Sequence, residues 1–300
     1  MIWQSLKYGI SQVWGNKRLI AFYYLLNLLL AFFLILPLHN VLNDFAGRSL
    51  MGAKLAESFD MNLFFELIHE HGDVLSLWMG LVFIGAIVYW LSMLFLSGGI
   101  LHLFIHEKSG TIASVLGNSA RYFPRMIRLS LWSLPVLGIL LSVQFIYSGI
   151  QRLIFGSDPY QSVLYWGAWI KVALRFIIFW VFVVIIDYAR IHLVQNDERK
   201  TRKSLLAALR FVIKNPGKAF GLKALLIVSG IFALVIYNLL QIPLSNSAGA
   251  GLFVLFFIQQ IYMIFRSFLR LATFSSQAEL YQDAESQERI DNAEEILLAV

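Results

Sequence analysis

The stretch Ala224–Phe265, ALLIVSGIFALVIYNLLQIPLSNSAGAGLFVLFFIQQIYMIF, contains no Asp, Glu, Lys or Arg. It is about twice as long as the roughly 20 apolar residues that one transmembrane helix needs to cross the hydrocarbon core of a bilayer. Pro243 and the small polar run Ser245–Gly249 interrupt it near the middle. The stretch therefore predicts two membrane-spanning helices, the fifth and sixth crossings, joined by a tight hairpin.

Four earlier segments are also long and apolar. The first crossing lies in Leu19–Asn43, where the helix is expected to end before Pro37, and the second and third lie in Val74–Ile105 and Leu129–Gln151. The fourth, about Val172 to Leu193, has charged residues only near its ends. The continuous apolar runs lack the alternation of barrel strands, and other strands would leave backbone groups unpaired in lipid. We therefore predict an all-α polytopic membrane protein with six transmembrane helices.

The composition agrees with this fold class. Of the 300 residues, 59% are hydrophobic and 14% are charged, whereas soluble domains have roughly 45–50% apolar and about 25% charged residues. The absence of cysteine excludes disulfides, thiolate metal sites and cysteine nucleophiles. The apolar run after Lys17 and Arg18 is longer than the hydrophobic region of a cleavable signal peptide. It is therefore expected to be the first membrane helix.

The distribution of basic residues predicts the orientation. One side of the predicted crossings carries 19 of the 24 Lys and Arg residues, and this side includes both termini. Because basic residues are retained on the cytoplasmic side, both termini are expected in the cytoplasm. An acidic outer loop, residues 40–73, lies on the opposite side, while the acidic cytoplasmic tail, residues 279–300, has little influence on the rule. The net charge of +6 is thus assigned to orientation and not to nucleic-acid binding.

The chain contains three similar units, residues 5–108, 111–199 and 201–290, which we interpret as parallel pseudo-repeats of an interfacial helix plus a helical hairpin. Each unit opens with a partly amphipathic lead-in segment that reaches a polar or proline-containing break before the next crossing. Each closes with an exit segment expected to continue as helix into water. The lead-in segments begin at Ser5, Ser114 and Ser204, and the exit segments are Ser97–His102, Asp187–His192 and Ser275–Leu280.

The lead-in segments have two interpretations. As interfacial helices they would direct Lys7, Arg121, Arg210 and Lys214 toward anionic lipid headgroups. Alternatively, they are cytoplasmic extensions of the membrane helices. Prolines at the breaks, Pro124 and Pro216, argue against continuous helices.

Two cationic pairs are weak candidates for ligand binding. Lys171 and Arg175 share a helix face near the outer end of the fourth crossing. They are expected to reach the outer headgroups, to form an ion pair with an acidic residue of the outer loop, or to bind an anion or lipid headgroup. The acidic candidates are Glu66, Glu70 and Asp73. The second pair, Arg266 and Arg270, ends the sixth crossing and is also explained as a positive-inside anchor.

Two further pairs have local spacing that suggests an interaction. Asp187 and Arg190 are three residues apart and are expected to form a structural ion pair at the inner end of the fourth crossing. His102 and His106 would share one helix face, as two metal ligands require, but only Glu107 and the distant His192 are candidates for a third ligand. We therefore predict no metal and no other cofactor. In the crossings, Gln144, Asn238, Gln259 and Gln260 are expected to form helix-to-helix hydrogen bonds or to line a cavity.

The sequence has no zinc-protease, serine-hydrolase, nucleotide-binding or intramembrane aspartyl-protease motif, so we predict no enzymatic activity. Three short strings stand out along the chain: Arg121-Tyr122-Phe123-Pro124-Arg125, Asp187-Tyr188-Ala189-Arg190 and Asn215-Pro216-Gly217-Lys218. With the order of elements, they give the chain a resemblance to a loose group of uncharacterised bacterial six-helix membrane proteins, similar to the membrane domain attached to some glycerophosphodiester phosphodiesterases. The resemblance implies a bacterial inner membrane and no catalytic residues.

Three functions are compatible with these sequence features. The leading hypothesis is a scaffold or accessory component whose partners are the lipid bilayer, its cytoplasmic anionic headgroups and other proteins. The second is a transporter or channel for a small or lipidic solute, based on the repeats and on Lys171 and Arg175. The third is a lipid-modifying or metal-dependent enzyme built on His102 and His106.

Overall fold

The computed structural model describes residues 1–46, 61–156, 159–245 and 250–298, and every regular element within these ranges is helical. Six of the helices are long and apolar enough to cross a membrane. The predictions of an all-α fold and of six helices long and apolar enough to span a membrane are confirmed for the described residues. The helices are α1 (Ile2–Gly15), α2 (Lys17–Ala46), α3 (Met61–His102), α4 (Ile112–Phe155), α5 (Gln161–Gln195), α6 (Thr201–Lys214), α7 (Pro216–Ser245) and α8 (Ala250–Leu298), with a π-helical turn at Leu103–Glu107 after α3.

The chain forms two compact units, and the smaller one is Ala21–Leu94. It contains most of α2 and α3. The Tyr23 hydroxyl lies 2.7 Å from the Met93 sulfur, and the Trp78 indole N–H donates to the Leu34 carbonyl at 3.2 Å. These contacts join the two helices of the first predicted hairpin.

The larger unit comprises Met1–Ile20 and Phe95–Val300. Helix α1 packs on α8, and α6 packs on α5. Two glycines allow the closest approaches: a Cβ at Gly9 would overlap Ser276, and a Cβ at Gly99 would overlap Ser119. The lead-in and exit segments of the larger unit therefore form a tightly packed protein core.

The apolar spans themselves are much less buried. In the most apolar window of each span, only 11–22% of the residues are buried within the protein. Large side chains such as Ile139 and Phe176 are 70% and 73% exposed. Lipid or another apolar partner must cover these faces, because water would not tolerate so much contiguous apolar surface.

The prolines do not end the helices where the sequence suggested. Pro37 lies inside α2, and Pro124 lies inside α4, so the second lead-in segment is continuous with the third crossing. The expected helix end and break are therefore wrong at these two positions. Proline is tolerated within membrane helices because neighbouring groups satisfy the freed carbonyls. At Asn16 and Asn215, by contrast, α1 and α6 end as separate helices.

The exit segments continue as helix, as expected. They are packed within the protein, since Ile100, Tyr188 and Gln277 are each at most 1% exposed. The described part of the predicted outer loop is also helical, since residues 40–46 belong to α2 and residues 61–73 belong to α3. The rest of that loop, residues 246–249 of the predicted hairpin, and the last two residues of the acidic tail lie outside the described residues.

Candidate functional site

A buried carboxylate on α5 meets a lysine on α7. The Lys223 ammonium donates to Oδ2 of Asp187 at 2.7 Å, and the two side chains are only 15% and 11% exposed. The Arg190 guanidinium lies farther away, with Nη1 3.9 Å from Oδ1 of Asp187. The expected ion pair between Asp187 and Arg190 is therefore present, but Lys223 is the closer charged partner of Asp187.

Two cations thus lie beside one carboxylate where α5 and α7 meet. Arg270, on α8, lies instead over the Phe274 ring, with its guanidinium carbon 5.9 Å from the ring centre. We call Asp187, Arg190 and Lys223 the basic cluster. Lys223 was not singled out from the sequence, although it stands immediately before the uncharged stretch that starts at Ala224.

A second ionic contact joins α4 to the loop after α5. Asp197 accepts hydrogen bonds from Arg121 Nη2 at 2.8 Å and from Arg125 Nη1 at 2.5 Å. Partial burial acts to raise the pKa of the Asp197 carboxyl, but the hydrogen bonds and charges of the two arginines outweigh it and lower the pKa. Arg121, expected to face anionic lipid, is therefore engaged by a carboxylate of the same chain.

The two histidines of the metal hypothesis are close to each other, with ring centroids 4.8 Å apart. His102 lies 3.7 Å from Glu107, and His106 lies 3.4 Å from the Val194 carbonyl. In the part of the chain that the structure describes, no group of three His, Cys, Asp or Glu side chains could hold a metal ion. The distant His192 contacts Tyr281 and Asn196 instead.

Lys171 and Arg175 occupy the opposite end of α5 from the basic cluster. Arg175 Nε donates to the Gln144 amide oxygen at 3.0 Å, and the Lys171 ammonium lies 6.0 Å from the centre of the Tyr147 ring. A cleft of about 290 Å³ adjoins them, lined by Tyr147, Gln151, Trp166, Gly167 and Ile170 among others. Of the acidic partners suggested by the sequence, the Glu66 and Glu70 side chains lie outside the described residues, and Asp73 belongs to the smaller unit.

The remaining candidate, Arg266, is exposed on α8 one turn before Arg270. A separate cavity of about 340 Å³ lies where α1 gives way to α2, and its lining includes Trp14, Lys17, Arg18 and Thr111. The Lys17 ammonium lies 5.2 Å from the centre of the Trp14 ring.

The basic cluster is the most distinctive of these sites, because its two cations and its carboxylate are largely buried. It combines residues from two helices, so local sequence spacing shows only part of it. Comparison with known proteins adds no assignment: the chain matches no protein-family model, no curated protein and no solved structure.

Proposed function

We propose that this chain is a non-enzymatic integral protein of the bacterial inner membrane that serves as a scaffold or accessory component for other membrane proteins. The observation that supports this most is the contrast between the tightly packed lead-in and exit segments and the exposed apolar spans. A protein built in this way holds its own helices together at one end and offers long apolar faces to partner helices. The missing catalytic motifs and the resemblance to a phosphodiesterase-associated membrane domain favour the same proposal.

Photo-crosslinking in native membranes tests the scaffold proposal. A photoreactive phenylalanine analogue at Phe176, which is 73% exposed on α5, is expected to give a discrete protein adduct. The same adduct should appear from Phe179, one turn later and 60% exposed. Tyr188, fully buried on the same helix, is the matched control and should give no intermolecular adduct. Adducts with lipid alone from every exposed position would refute the proposal.

The proposal includes an orientation with the loop around Lys200 in the cytoplasm, supported by the distribution of basic residues. A fluorescent reporter that matures only in the cytoplasm should be active after Lys200, and an enzyme reporter that folds only outside should be inactive there. A reporter result that places Lys200 outside the cell would overturn the assigned orientation.

A transporter or channel is the second candidate. The cleft beside Lys171, together with the Arg175–Gln144 hydrogen bond between two apolar spans, is the observation that favours it. In proteoliposomes, Lys171→Ala with Arg175→Ala should abolish flux, whereas Arg152→Ala, at the end of α4, should not. A wild-type protein without flux of any solute in a broad panel would eliminate this candidate.

A further inference from the structure

The cavity of about 340 Å³ where α1 gives way to α2 has two walls. One comes from residues 14–19, and the other comes from the chain between Leu103 and Val115, at the start of α4. All of these residues belong to the larger unit. We call this space the junction cavity. Its volume is within the range of roughly 300–1,000 Å³ that is usual for small-molecule sites.

Hydrogen bonds hold the two walls of the junction cavity in place. The Asn16 side-chain amide donates to the Gln12 carbonyl at 2.9 Å and to the Lys108 carbonyl at 3.0 Å, and so joins the break after α1 to the segment before α4. On the second wall, Thr111 Oγ1 caps α4 by accepting a hydrogen bond from the Ser114 N–H at 3.2 Å. Neither wall therefore depends on a charged side chain for its position.

The junction cavity is lined by two cations. These are Lys17 and Arg18, and none of the described residues that line the cavity is Asp or Glu. Within the described part of the chain, neither cation takes part in an ion pair. The Lys17 ammonium lies 5.2 Å from the centre of the Trp14 ring, a contact that leaves its positive charge in place. The cavity therefore has two positive charges available for an anion.

A carboxylate lies next to the junction cavity but is engaged elsewhere. A Cβ built at Gly110, one of the lining residues, would lie 2.7 Å from Oε2 of Glu107. The Glu107 carboxylate accepts hydrogen bonds from the Ser114 hydroxyl at 2.9 Å and from the Asn118 side-chain amide at 3.1 Å. Glu107 is thus bonded to side chains of α4, and the two cations of the cavity outnumber it.

The position of the cavity favours an amphiphilic ligand. Lys17 is the first residue of the first apolar span, so the cavity lies at the level of the lipid headgroups. Its lining also includes the apolar side chains of Trp14, Leu19 and Leu103. Cations at the end of a span are ordinarily explained as positive-inside anchors. An anchor, however, needs neither a cavity nor two walls that are bonded to each other.

We propose that the junction cavity binds a phosphate group, with Arg18 and Lys17 as its ligands. A guanidinium group can donate two parallel hydrogen bonds to phosphate oxygens, and an ammonium group binds phosphate as a point charge. Basic pockets between membrane helices on the cytoplasmic side are suited to phosphate-bearing headgroups. The phosphate belongs either to an anionic lipid, which the apolar lining favours, or to a free phosphate ester. This site goes beyond the scaffold proposal and does not depend on it.

The experiment compares two double variants of the purified full-length protein. One is Lys17→Gln with Arg18→Gln, and the matched control is Arg199→Gln with Lys200→Gln. Arg199 and Lys200 are also adjacent and exposed, but they do not line the junction cavity. Both double variants lose the same charge. Native mass spectrometry measures binding of phosphatidylglycerol and of phosphatidylcholine, whose ammonium group balances its phosphate. Thermal unfolding in detergent measures stabilisation by inorganic phosphate.

A single variant, Arg18→Gln, makes the test independent of folding. Arg18 has no hydrogen bond, ion pair or ring contact within the described part of the chain, so its replacement removes no contact and remains decisive if the double variant does not fold. It should weaken binding of the preferred ligand about tenfold, the effect of losing one hydrogen bond between charged groups. The control double variant should leave binding unchanged.

The two sources of phosphate give different results. A preference for phosphatidylglycerol over phosphatidylcholine that is lost in Arg18→Gln identifies an anionic lipid headgroup. Stabilisation by inorganic phosphate that is lost in Arg18→Gln identifies a free phosphate ester. If the control double variant weakens binding as much as the cavity double variant, general charge attraction explains the binding and the proposal is wrong. A wild-type protein with neither the lipid preference nor the stabilisation would also overturn it.

Discussion

Replacing Gly9 with alanine is expected to loosen the contact between α1 and α8. An added Cβ would overlap the Ser276 hydroxyl and would lie 2.6 Å from the Ser276 nitrogen and 2.8 Å from its Cα. The hydroxyl can rotate away, but the two backbone atoms cannot, so one helix must shift. Overpacking of this kind costs about 1–3 kcal/mol of stability.

Gly15→Ala is the matched control on the same helix. Nothing lies within 4 Å of a Cβ built at Gly15, so this change tests helix propensity without a clash. Alanine favours a helix over glycine by roughly 0.5–1 kcal/mol within a helix, and comparison with Gly15→Ala, at the last residue of α1, removes part of this gain and leaves mainly the packing cost. In a unit of this size, each kcal/mol of lost stability lowers the unfolding temperature by about 2–4 °C. The Gly9→Ala variant should therefore unfold roughly 2–12 °C below the Gly15→Ala variant.

Thermal unfolding in detergent, followed by tryptophan fluorescence, measures this difference. Ser276→Ala in the Gly9→Ala background should recover only part of the loss, because it removes the hydroxyl and leaves the backbone contacts. Ser276→Ala alone should not destabilise the protein, since the Ser276 hydroxyl is buried without a hydrogen-bond partner among the described residues. If the Gly9→Ala variant unfolds at the same temperature as the Gly15→Ala variant or at a higher one, the reasoning is refuted.

Three other predictions concern the charged sites. Lys223→Met leaves Asp187 buried without its closest partner and should cost about 3 kcal/mol, measured by unfolding in detergent. Asp197→Asn should lower the unfolding temperature at neutral pH. Because folding lowers the pKa of Asp197, its stabilisation is present above the carboxyl's unfolded pKa and is lost as pH falls through the lower folded value. Metal analysis of the purified protein should find no stoichiometric transition metal.

Each of these predictions has a matched comparison. Lys223→Arg keeps the charge beside Asp187 and should be milder than Lys223→Met; equal losses would contradict the ion-pair explanation. For Asp197, whose side chain is 48% exposed, the effect is small because water screens the pair. The difference in unfolding temperature between wild type and Asp197→Asn should become smaller in acid. If it does not, the Asp197 carboxylate is not its cause. A stoichiometric metal that is lost with His102→Ala would reinstate the metal hypothesis.

The membrane class was predictable because it depends on composition along the chain, which the stretch Ala224–Phe265 displays directly. The helix ends were not predictable from the sequence, because the effect of a proline depends on its surroundings. Pro37 and Pro124 lie within helices, where the sequence suggested a helix end and a break. The location of the core could not be predicted from the sequence either. It depends on contacts such as Gly9 with Ser276, which join the two ends of the chain and leave no local spacing to recognise.

Counting charges predicts the side of the membrane for the residues of the basic cluster, but not their contacts. Counting assigns Arg190 and Lys223 to the same side of the membrane and gives them the same role. It does not show that both lie beside one carboxylate, because only the fold brings α5 and α7 together. In the same way, the local spacing of Asp187 and Arg190 suggested an ion pair, which the structure has at 3.9 Å, whereas Lys223, 36 residues from Asp187, makes the shorter contact at 2.7 Å.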